Sequence, residues 1–365
     1  MQQNEGDSVS AALRRHIREA IAEAGGWIGF ERFMAMALYA PGLGYYSRDS
    51  RKFGLMPASG SDFVTAPELS PLFGRALARQ LAQALDAAQS GEVWEFGAGS
   101  GALAAQLLEA LGERVRRYTI VELSASLRER QRERLAAFGE QVVWVDRLPE
   151  HFDGVVVGNE VLDAMPVQLL HFDGERWFER GVVATADGFA WADRDTGQRP
   201  PLDAPFVPGT VTEIHPQARA FVATLAERLG RGAAFFIDYG FPEHEYWHPQ
   251  RRGGTLMCHR AHRSDDDPLS EVGDKDITAH IDFTGIALAA QDAGMDVIGY
   301  TTQARFLMNC GLMEMLQGAD LRTTANAQKL LTEHEMGELF KVIGLAKGLT
   351  LDPLGFAHGD RSHTL

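Results

Sequence analysis

The first 90 residues repeat apolar positions at a helical period. Leu13, Ile17 and Ile21 recur every four residues and predict an amphipathic helix over residues 8–24, followed by a second helix over residues 28–38. A third helix begins at Ser70, the N-cap residue, and Pro71, the first residue of the helix. Between these helices, residues 39–63 are rich in glycine, serine, proline and aromatic residues. They predict a long ordered loop, and loops of this length are usually functional.

From residue 92 onwards, short apolar runs alternate with helical runs. The predicted strands are residues 93–96, 118–122, 142–145, 155–158, 233–237 and 295–302, and the predicted helices are residues 102–111, 125–138, 216–229 and 283–293. Strands separated by helices predict right-handed crossovers and a parallel, doubly wound α/β sheet. Residues 167–192 instead predict two or three antiparallel strands with Asp-Gly turns, which we interpret as an insertion.

This pattern divides the chain into three parts. Residues 1–90 form an N-terminal helical extension, whose loop at residues 39–70 serves the cofactor or the acceptor. Residues 91–302 form the α/β core, which carries the insertion and a possible strand at residues 255–259. Residues 303–365 form a C-terminal segment packed on the core, and residues 303–347 within it are predicted to be helical.

Three alternate glycines follow the first core strand. Gly97, Gly99 and Gly101 separate the strand at residues 93–96 from a helix that begins at Ala102. Such a turn lets the backbone approach a small ligand closely and directs helix N–H groups at it. The spacing also satisfies a relaxed dinucleotide fingerprint, so NAD and S-adenosylmethionine are both candidate ligands.

Acidic residues near this loop favour S-adenosylmethionine. Glu95 lies two residues before the first glycine, where a carboxylate disfavours a pyrophosphate but suits an ammonium or sulfonium ion, directly or by holding the loop. Glu122, at the end of the second core strand, is placed to bind ribose hydroxyls, which both ligands possess. Asp146, after the third strand, is a candidate for the adenine edge or for an ordinary helix cap or turn.

A second polar group follows the fourth core strand. Asn159, Glu160 and Asp163 lie in the turn after residue 158, at the edge where open α/β sheets bind their ligands. Carboxylates there would neutralise a cationic methyl acceptor such as a guanidinium and orient its nitrogen. Asn159 or Asp163 could instead cap the next helix.

Other polar residues are predicted near the same edge. His215, before Pro216, is a candidate general base or a structural histidine. Further candidates lie in the segments around Asp238 and around residues 276–282, and include His280 and Asp282. None of these histidines has the helical spacing of a metal-binding motif, so no metal site is expected.

Composition narrows the class of protein. The chain has 365 residues, 35 basic and 50 acidic, and a net charge of −15, with no extended basic cluster, so nucleic acid is not expected as the main partner. Residues 128–134 alternate in charge and predict a solvated helix face. Two cysteines fit a reducing compartment. The polar N-terminal residues and the lack of a long apolar run predict a cytoplasmic protein without a secretory signal or membrane span.

Several motifs together resemble the MidA family. They are Tyr39-Ala-Pro-Gly-Leu-Gly-Tyr-Tyr46, Phe63-Val-Thr-Ala-Pro-Glu-Leu-Ser70, Asn159-Glu-Val-Leu-Asp-Ala-Met-Pro166, Ile237-Asp-Tyr-Gly240 and the Gly273 to His280 segment. The resemblance covers roughly residues 8–350. The mitochondrial relatives of this family are arginine methyltransferases that act in respiratory complex I assembly. Lys275 departs from the pattern, because relatives tend to carry glutamine there.

The resemblance implies a class I methyltransferase core, with a mostly parallel Rossmann-like sheet, an antiparallel late strand, and helical and β-rich insertions. It implies S-adenosyl-L-methionine as cofactor and a protein arginine as acceptor. It also implies that Thr65, Pro67 and Glu68 fold over the cofactor and that Glu160 belongs to the catalytic loop.

Two other functions compete with a methyltransferase. A donor-binding assembly protein with little catalysis would use the same fold, and the loop-rich surface of residues 38–56 could hold its partner. An NAD-dependent oxidoreductase is disfavoured by Glu95. The acceptor's identity, the degree of methylation and the oligomeric state do not follow from the sequence.

Overall fold

The structure is a computed structural model that describes residues 2–47, 65–260 and 263–365. Residues 48–63 of the predicted loop, and residues 48–56 of the predicted partner surface, lie outside the described residues. The first described turn of this loop packs inward, since Tyr45 is fully buried.

A twisted sheet with the strand order β15-β16-β10-β5-β2-β3-β4 forms the centre of the fold, and a short strand, β14, also pairs with β10. The bounds are β2 Glu92–Phe96, β3 Arg117–Val121, β4 Val142–Val145, β5 Phe152–Asn159, β10 Leu229–Phe241, β14 Ile281–Asp282, β15 Asp296–Thr302 and β16 Phe340–Lys347. Strands β4, β3, β2, β5 and β10 run parallel, whereas β16 is antiparallel to both of its neighbours. The mostly parallel sheet with one antiparallel late strand is therefore confirmed.

Helices cover both faces of this sheet and bury two apolar clusters. The helices are α1 Gln2–Glu23, α2 Phe30–Tyr39, α3 Ala66–Leu69, α4 Pro71–Ala88, α5 Ala102–Leu111, α6 Ala125–Arg134, α7 Pro216–Arg228, α8 Glu243–Tyr246, α9 Phe283–Asp292, α10 Gln303–Asn309, α11 Leu312–Met315 and α12 Leu321–Leu331. Helices α4, α5, α10 and α12 pack on one face, and α7 and α9 pack on the other. Ser70 caps α4 as predicted, because its hydroxyl accepts a hydrogen bond from the Leu72 N–H.

Two smaller sheets flank the core. The predicted antiparallel insertion forms β6 Gln168–Phe172, β7 Trp177–Ala184 and β8 Phe189–Asp195, extended by β9 Thr210–Ile214 and by β1 Ile28–Gly29. The other sheet consists of β11 Met257–Arg260, β12 Arg263–Asp265 and β13 Asp276–Thr278. Helices α1 and α2 share an apolar cluster with residues of these two sheets, so the N-terminal extension is packed on them.

The prediction that residues 303–347 are entirely helical is wrong at its end. Residues 340–347 form β16, which lies between β10 and β15 in the central sheet. Seven of its eight residues are buried, because both faces of the sheet are covered by helices. A strand buried on both faces shows no alternation of apolar and polar residues, so its pattern cannot be told from that of a buried helix.

A smaller difference concerns the start of the second predicted helix. Ile28 and Gly29 pair with Val182 and Gly181 as a strand, and α2 begins only at Phe30. Within the described part of the chain, no helix has the length and apolarity needed to cross a membrane.

Candidate active site

The glycine loop joins the carboxyl end of β2 to the start of α5. Gly97, Gly99 and Gly101 have φ angles of +62°, +52° and +80°, a left-handed backbone that favours glycine. At Gly97 a Cβ atom would also lie 2.8 Å from Val161 Cγ2, which is too close. Backbone conformation therefore explains glycine at all three positions, close packing adds to it at Gly97, and Gly101 is the residue before α5.

Glu122 lies at the carboxyl end of β3 and is held in place from two sides. Its carboxylate accepts hydrogen bonds from the Ser124 N–H at 2.8 Å and from Gln131 Nε2 at 3.2 Å. Gln131 also donates to the carbonyl oxygen of Gly99, and Trp144 Nε1 donates to Gln131. The buried Gln131 side chain therefore ties the glycine loop to the predicted ribose-binding acid.

Gln131 was missed because residues 128–134 were interpreted as a solvated helix face. That interpretation is wrong at Gln131, which has no exposed surface, while its charged neighbours on either side are largely exposed. The available signal was an uncharged residue within a run of charges.

Glu95 is buried beneath the loop, at the end of β2. Its carboxylate accepts a hydrogen bond from the Tyr118 hydroxyl at 2.7 Å. Burial, reinforced by the charge of Glu122, raises the pKa of Glu95 to about 8 although the Tyr118 bond opposes the shift. A buried carboxylate of this kind suits a cationic ligand group.

The predicted segment at residues 65–68 meets the glycine loop from outside the core. Thr65 and Pro67 line the cavity beside the loop. Glu68 is not part of the cavity wall, but its carboxylate accepts hydrogen bonds from the Ser100 hydroxyl and, at 2.6 Å, from Arg134. Glu68 thus holds the loop in place rather than facing the ligand.

A cavity of about 440 Å³ extends from this loop to the turn after β5. Its wall includes most of the predicted site: Thr65, Pro67, Glu95, Gly97, Gly99, Glu122, Asn159, Glu160 and Asp163. It also includes Tyr39, Tyr46, Tyr239, His259 and Asp276, which were not named individually as site residues, although all except His259 lie in segments that were predicted to be near this edge. The carboxyl ends of β2, β3 and β5 meet at this edge of the sheet, so one cavity joins the two predicted halves.

The turn after β5 places Glu160 in a strained conformation. Glu160 has a φ of +54°, and its N–H donates to the carbonyl oxygen of Ile237. The Asp238 carboxylate then accepts hydrogen bonds from the N–H groups of Val161 and Leu162, at 3.1 and 2.8 Å. Asp238, at the end of β10, therefore fixes the turn that presents Glu160.

Several carboxylates share this part of the cavity. Burial raises the pKa of Glu160 to about 8 and that of Asp238 to about 7, and Asp238 adds to the shift at Glu160. The pKa of Asp163 is raised by burial and by the charges of Asp238, Glu160 and Asp276. Neither Lys nor Arg occurs among the described residues of the cavity wall. The carboxyl groups of Glu160 and Asp163 therefore have no lysine or arginine partner on the described wall.

Tyrosine hydroxyls occupy the other side of the carboxylates. Tyr46 donates to Asp276 at 2.8 Å, Tyr239 donates to Glu160 at 3.4 Å, and Tyr39 donates to the Ala164 carbonyl. Even so, Asn159 Oδ1 and Asp163 Oδ1 are buried and have no hydrogen-bond partner in the described parts of the chain. Because burying an unpaired acceptor is costly, these atoms mark places for ligand donors.

Four predicted site residues do not line the cavity: Glu68, Gly101, His215 and Asp146. The His215 ring is buried beside Tyr246, whose hydroxyl lies 3.1 Å from Nε2, and burial lowers the pKa of His215 to about 3. Its assignment as a general base in this cavity is corrected, since it lies off the cavity wall. Asp146 follows β4, and its side chain is 65% exposed, with Oδ1 3.5 Å from Arg147 Nε. It does not line the cavity either. Its contact with adenine stays a prediction.

Lys275, the departure from the family pattern, has a local structural role. Its ammonium group donates to Asp265 and Ser270, each at 2.8 Å, and lies 3.7 Å from Glu271. These contacts fix the segment before β13 and leave the cavity unchanged.

The fold and the cavity together define a class of protein. A parallel sheet, a glycine loop after its first core strand and an acid after the next form a site for an adenosine-containing ligand. The Glu95 carboxyl group beneath the loop suits a cationic ligand such as S-adenosyl-L-methionine. The class is that of the S-adenosylmethionine-dependent methyltransferases.

Comparison with known proteins identifies the family. Residues 76–301 match the model of the family described as "Putative S-adenosyl-L-methionine-dependent methyltransferase", and the chain belongs to this family. A solved COG1565 superfamily structure from Burkholderia thailandensis, bound to S-adenosyl-homocysteine, is 51% identical with a TM-score of 0.95, and the match covers 99% of this chain and 98% of that one.

Curated relatives are more distant. The mitochondrial protein arginine methyltransferase NDUFAF7 homolog of Caenorhabditis elegans is 25% identical, and NDUFAF7 of Danio rerio is 26% identical. Each match covers 85% of this chain and 79% of the relative. The protein is therefore an S-adenosyl-L-methionine-dependent methyltransferase, and the MidA-like resemblance is confirmed. Of the two ligands that the glycine loop left open, S-adenosylmethionine is therefore the cofactor, and NAD is not.

Proposed function

We propose that this protein methylates a nitrogen of an arginine side chain in a protein acceptor. The observation that carries the proposal is the pair of cavity carboxyl groups, Glu160 and Asp163, beside which no Lys or Arg lines the described cavity wall, and a buried Asp163 oxygen has no hydrogen-bond partner among the described residues. Buried charges need partners, and a guanidinium supplies both a positive charge and several N–H donors. The names of the distant mitochondrial relatives agree with this acceptor.

The carboxylates are suited to the chemistry of guanidinium methylation. S-adenosylmethionine, when bound, supplies an electrophilic methyl group on a sulfonium, and the carbon–sulfur electron pair returns to sulfur as the carbon–nitrogen bond forms. Glu160 and Asp163 accept hydrogen bonds from the guanidinium and orient one nitrogen towards the donor half of the cavity. The methylated nitrogen loses one proton. Because burial raises the pKa of Glu160 to about 8, its carboxylate can accept that proton near neutral pH.

The test is the identity of the methylated residue. The full-length protein is incubated with tritiated S-adenosylmethionine and a bacterial protein extract, and each labelled band is hydrolysed to amino acids. We expect the label in methylated arginine, and we expect Glu160→Gln to lose it. Glu129→Gln, an exposed glutamate on α6, serves as the matched control. Label in lysine, in histidine or in no protein would contradict the proposal.

A further inference from the structure

A group of basic side chains surrounds Phe241, at the end of β10. The Arg251 guanidinium lies 4.3 Å from the centre of the Phe241 ring, and the Lys341 ammonium lies 5.7 Å from it. The His280 ring lies 5.3 Å from the same ring, centre to centre. We call Arg251, His280 and Lys341 the Phe241 cluster. None of the three has been assigned to the cavity described above.

The Phe241 cluster lies at the same sheet edge as the acceptor carboxylates. His280 is 5.9 Å, ring to ring, from Tyr239, which lines the cavity and contacts Glu160. Ile281, the residue after His280, pairs with Gly240 of β10, and Lys341 of β16 pairs with Asp238 of β10. One tyrosine ring therefore separates the cluster from the carboxylates proposed to hold the acceptor arginine.

The cluster also contains buried nitrogens, one of them on a guanidinium, that the described protein leaves without a hydrogen-bond partner. Arg251 Nε and His280 Nδ1 are buried and have no hydrogen-bond partner among residues 2–47, 65–260 and 263–365. In the same ranges, neither Arg251 nor Lys341 forms an ion pair with a carboxylate within 4 Å. Such groups are costly to leave unpaired, so the cluster is suited to an anion.

The charge of the cluster indicates the kind of anion. Lys341 directs its protons at the carbonyl oxygens of Glu338 and Leu339, and Glu245 and Glu338 offset its charge. Burial, then Arg251 and Lys341, lowers the pKa of His280 to about 4, so this ring is neutral at pH 7. Among the described residues, Arg251 is the cation of the cluster that has no carboxylate or carbonyl partner for its side chain, and one such cation matches a singly charged carboxylate better than a phosphate.

We infer that the Phe241 cluster binds a carboxylate of the acceptor protein, from an Asp or Glu side chain close to the target arginine. This inference rests on the proposed function and adds a substrate class to it: arginines that have an acidic neighbour. Glu160 contacts Tyr239, whose ring packs against His280, so the near edge of the cluster lies on the order of 10 Å from Glu160, and Arg251 lies beyond it on Phe241. About three to four extended residues can span this separation, so the acidic residue is expected within about four positions of the arginine.

Matched peptides test the subsite directly. Each peptide has one central arginine in a Gly-Ala-Ser background, with either Glu or Gln at one position from −4 to +4, and both ends blocked. With the wild-type protein and labelled donor, we expect a KM about tenfold lower for the best Glu peptide than for its Gln partner, at similar kcat. Arg251→Gln should remove this difference by raising the KM of the Glu peptide alone. Arg251→Lys should restore part of it, because Lys keeps the charge.

Arg252→Gln is the matched control. Arg252 is the exposed neighbour of Arg251 and makes only a long 3.4 Å bond to the Pro208 carbonyl, so the preference for Glu should persist in this variant. Equal KM values for the Glu and Gln peptides with the wild-type protein would overturn the subsite. An equal effect of Arg251→Gln on both peptides would overturn it too. A free C-terminal carboxylate on the Gln peptides shows whether that group can replace the side chain.

A binding measurement separates this inference from the proposed function. Fluorescence anisotropy of the labelled peptides, with S-adenosylhomocysteine present, requires no turnover. If no peptide is methylated but Glu peptides bind more tightly in an Arg251-dependent manner, the subsite stands and arginine methylation fails. If peptides are methylated without any Glu preference, arginine methylation stands and the subsite fails. If neither turnover nor Glu-dependent binding is seen, both are wrong.

Discussion

The two halves of the cavity are built in different ways. In the donor half, Glu122 is bonded to Ser124 and Gln131, and the glycine loop is held by Gln131 and Glu68 through hydrogen bonds that protein groups complete. In the acceptor half, Asn159 and Asp163 keep buried oxygens without partners in the described chain. The donor half is thus preorganised by protein groups, whereas the half proposed to hold the acceptor leaves buried acceptor atoms for ligand donors to complete.

The largest expected effect comes from filling the donor half. Gly97→Val adds a side chain at a φ of +62° and against Val161, so we expect donor affinity to fall at least about 100-fold and methyl transfer to be lost. Calorimetric titration with S-adenosylmethionine measures this affinity. Gly188→Ala, where a Cβ meets nothing within 4 Å, should bind the donor normally. Normal donor binding by Gly97→Val would disprove the role of this loop.

The next largest effect is expected from Glu160→Gln, which should affect turnover without affecting donor binding. Glu160→Gln removes a charge from the acceptor half only, so we expect donor affinity to stay within about threefold while kcat falls about 100-fold or more. Single-turnover methyl transfer and donor titration on the same sample measure the two quantities. Glu129→Gln should change neither. A variant that loses donor binding together with turnover would show that the halves are not separable.

The donor half was the more predictable from sequence because its parts are local. The glycine loop, Glu95 and Glu122 lie within 30 residues, at the ends of adjacent strands. The acceptor half draws on segments far apart in the chain. Tyr39, Tyr239 and Asp276 reach the cavity only through the packing of α2, β10 and β13 around it. Their positions follow from tertiary structure, which residue spacing does not reveal.

The errors have related physical causes. Residues 340–347 are buried on both faces and lack a strand periodicity, so β16 was predicted as helix. The polar residue His215 was assigned to the cavity because it precedes a helix near the same sheet edge, yet it packs against Tyr246 instead. In both cases burial by neighbouring elements decided the outcome.

Carboxyl groups with raised pKa values in both halves of the site should also make stability depend on pH. Burial raises the pKa of Glu160 and Glu95 to about 8 and of Asp238 to about 7, so between about pH 6.5 and 8.5 the folded state binds more protons than the unfolded state. Stability therefore falls as pH rises through this window. His215 and His280 have lowered pKa values, so their contribution to the stability of the folded protein is lost only as the pH falls below this window.

We expect the Tm of the protein without ligands to drop by roughly 5 °C across this window. Thermal unfolding followed by fluorescence measures the drop in Tm. Glu160→Gln should reduce this drop, because it removes one carboxyl group whose pKa is raised in the folded state. A Tm that rises with pH over the same range would contradict the account of uncompensated carboxylates.

The smallest expected effect concerns the hydrogen bonds that complete the donor half. Gln131→Ala removes the bonds to Gly99 and Glu122, and we expect donor affinity to fall about three- to tenfold with kcat nearly unchanged. The same donor titration detects this change. Gln217→Ala, whose amide donates to Glu31 at the surface, is the control and should have no effect. An unchanged affinity in Gln131→Ala would mean that the loop holds its shape without this bridge.

The most direct measurement is a crystal structure of the protein with S-adenosylhomocysteine and an arginine-containing peptide. The account predicts the guanidinium inside the cavity, with its nitrogens within hydrogen-bond distance of Glu160 and Asp163 and one nitrogen facing the sulfur. A peptide whose arginine lies outside the cavity, with another group beside these carboxylates, would contradict the account.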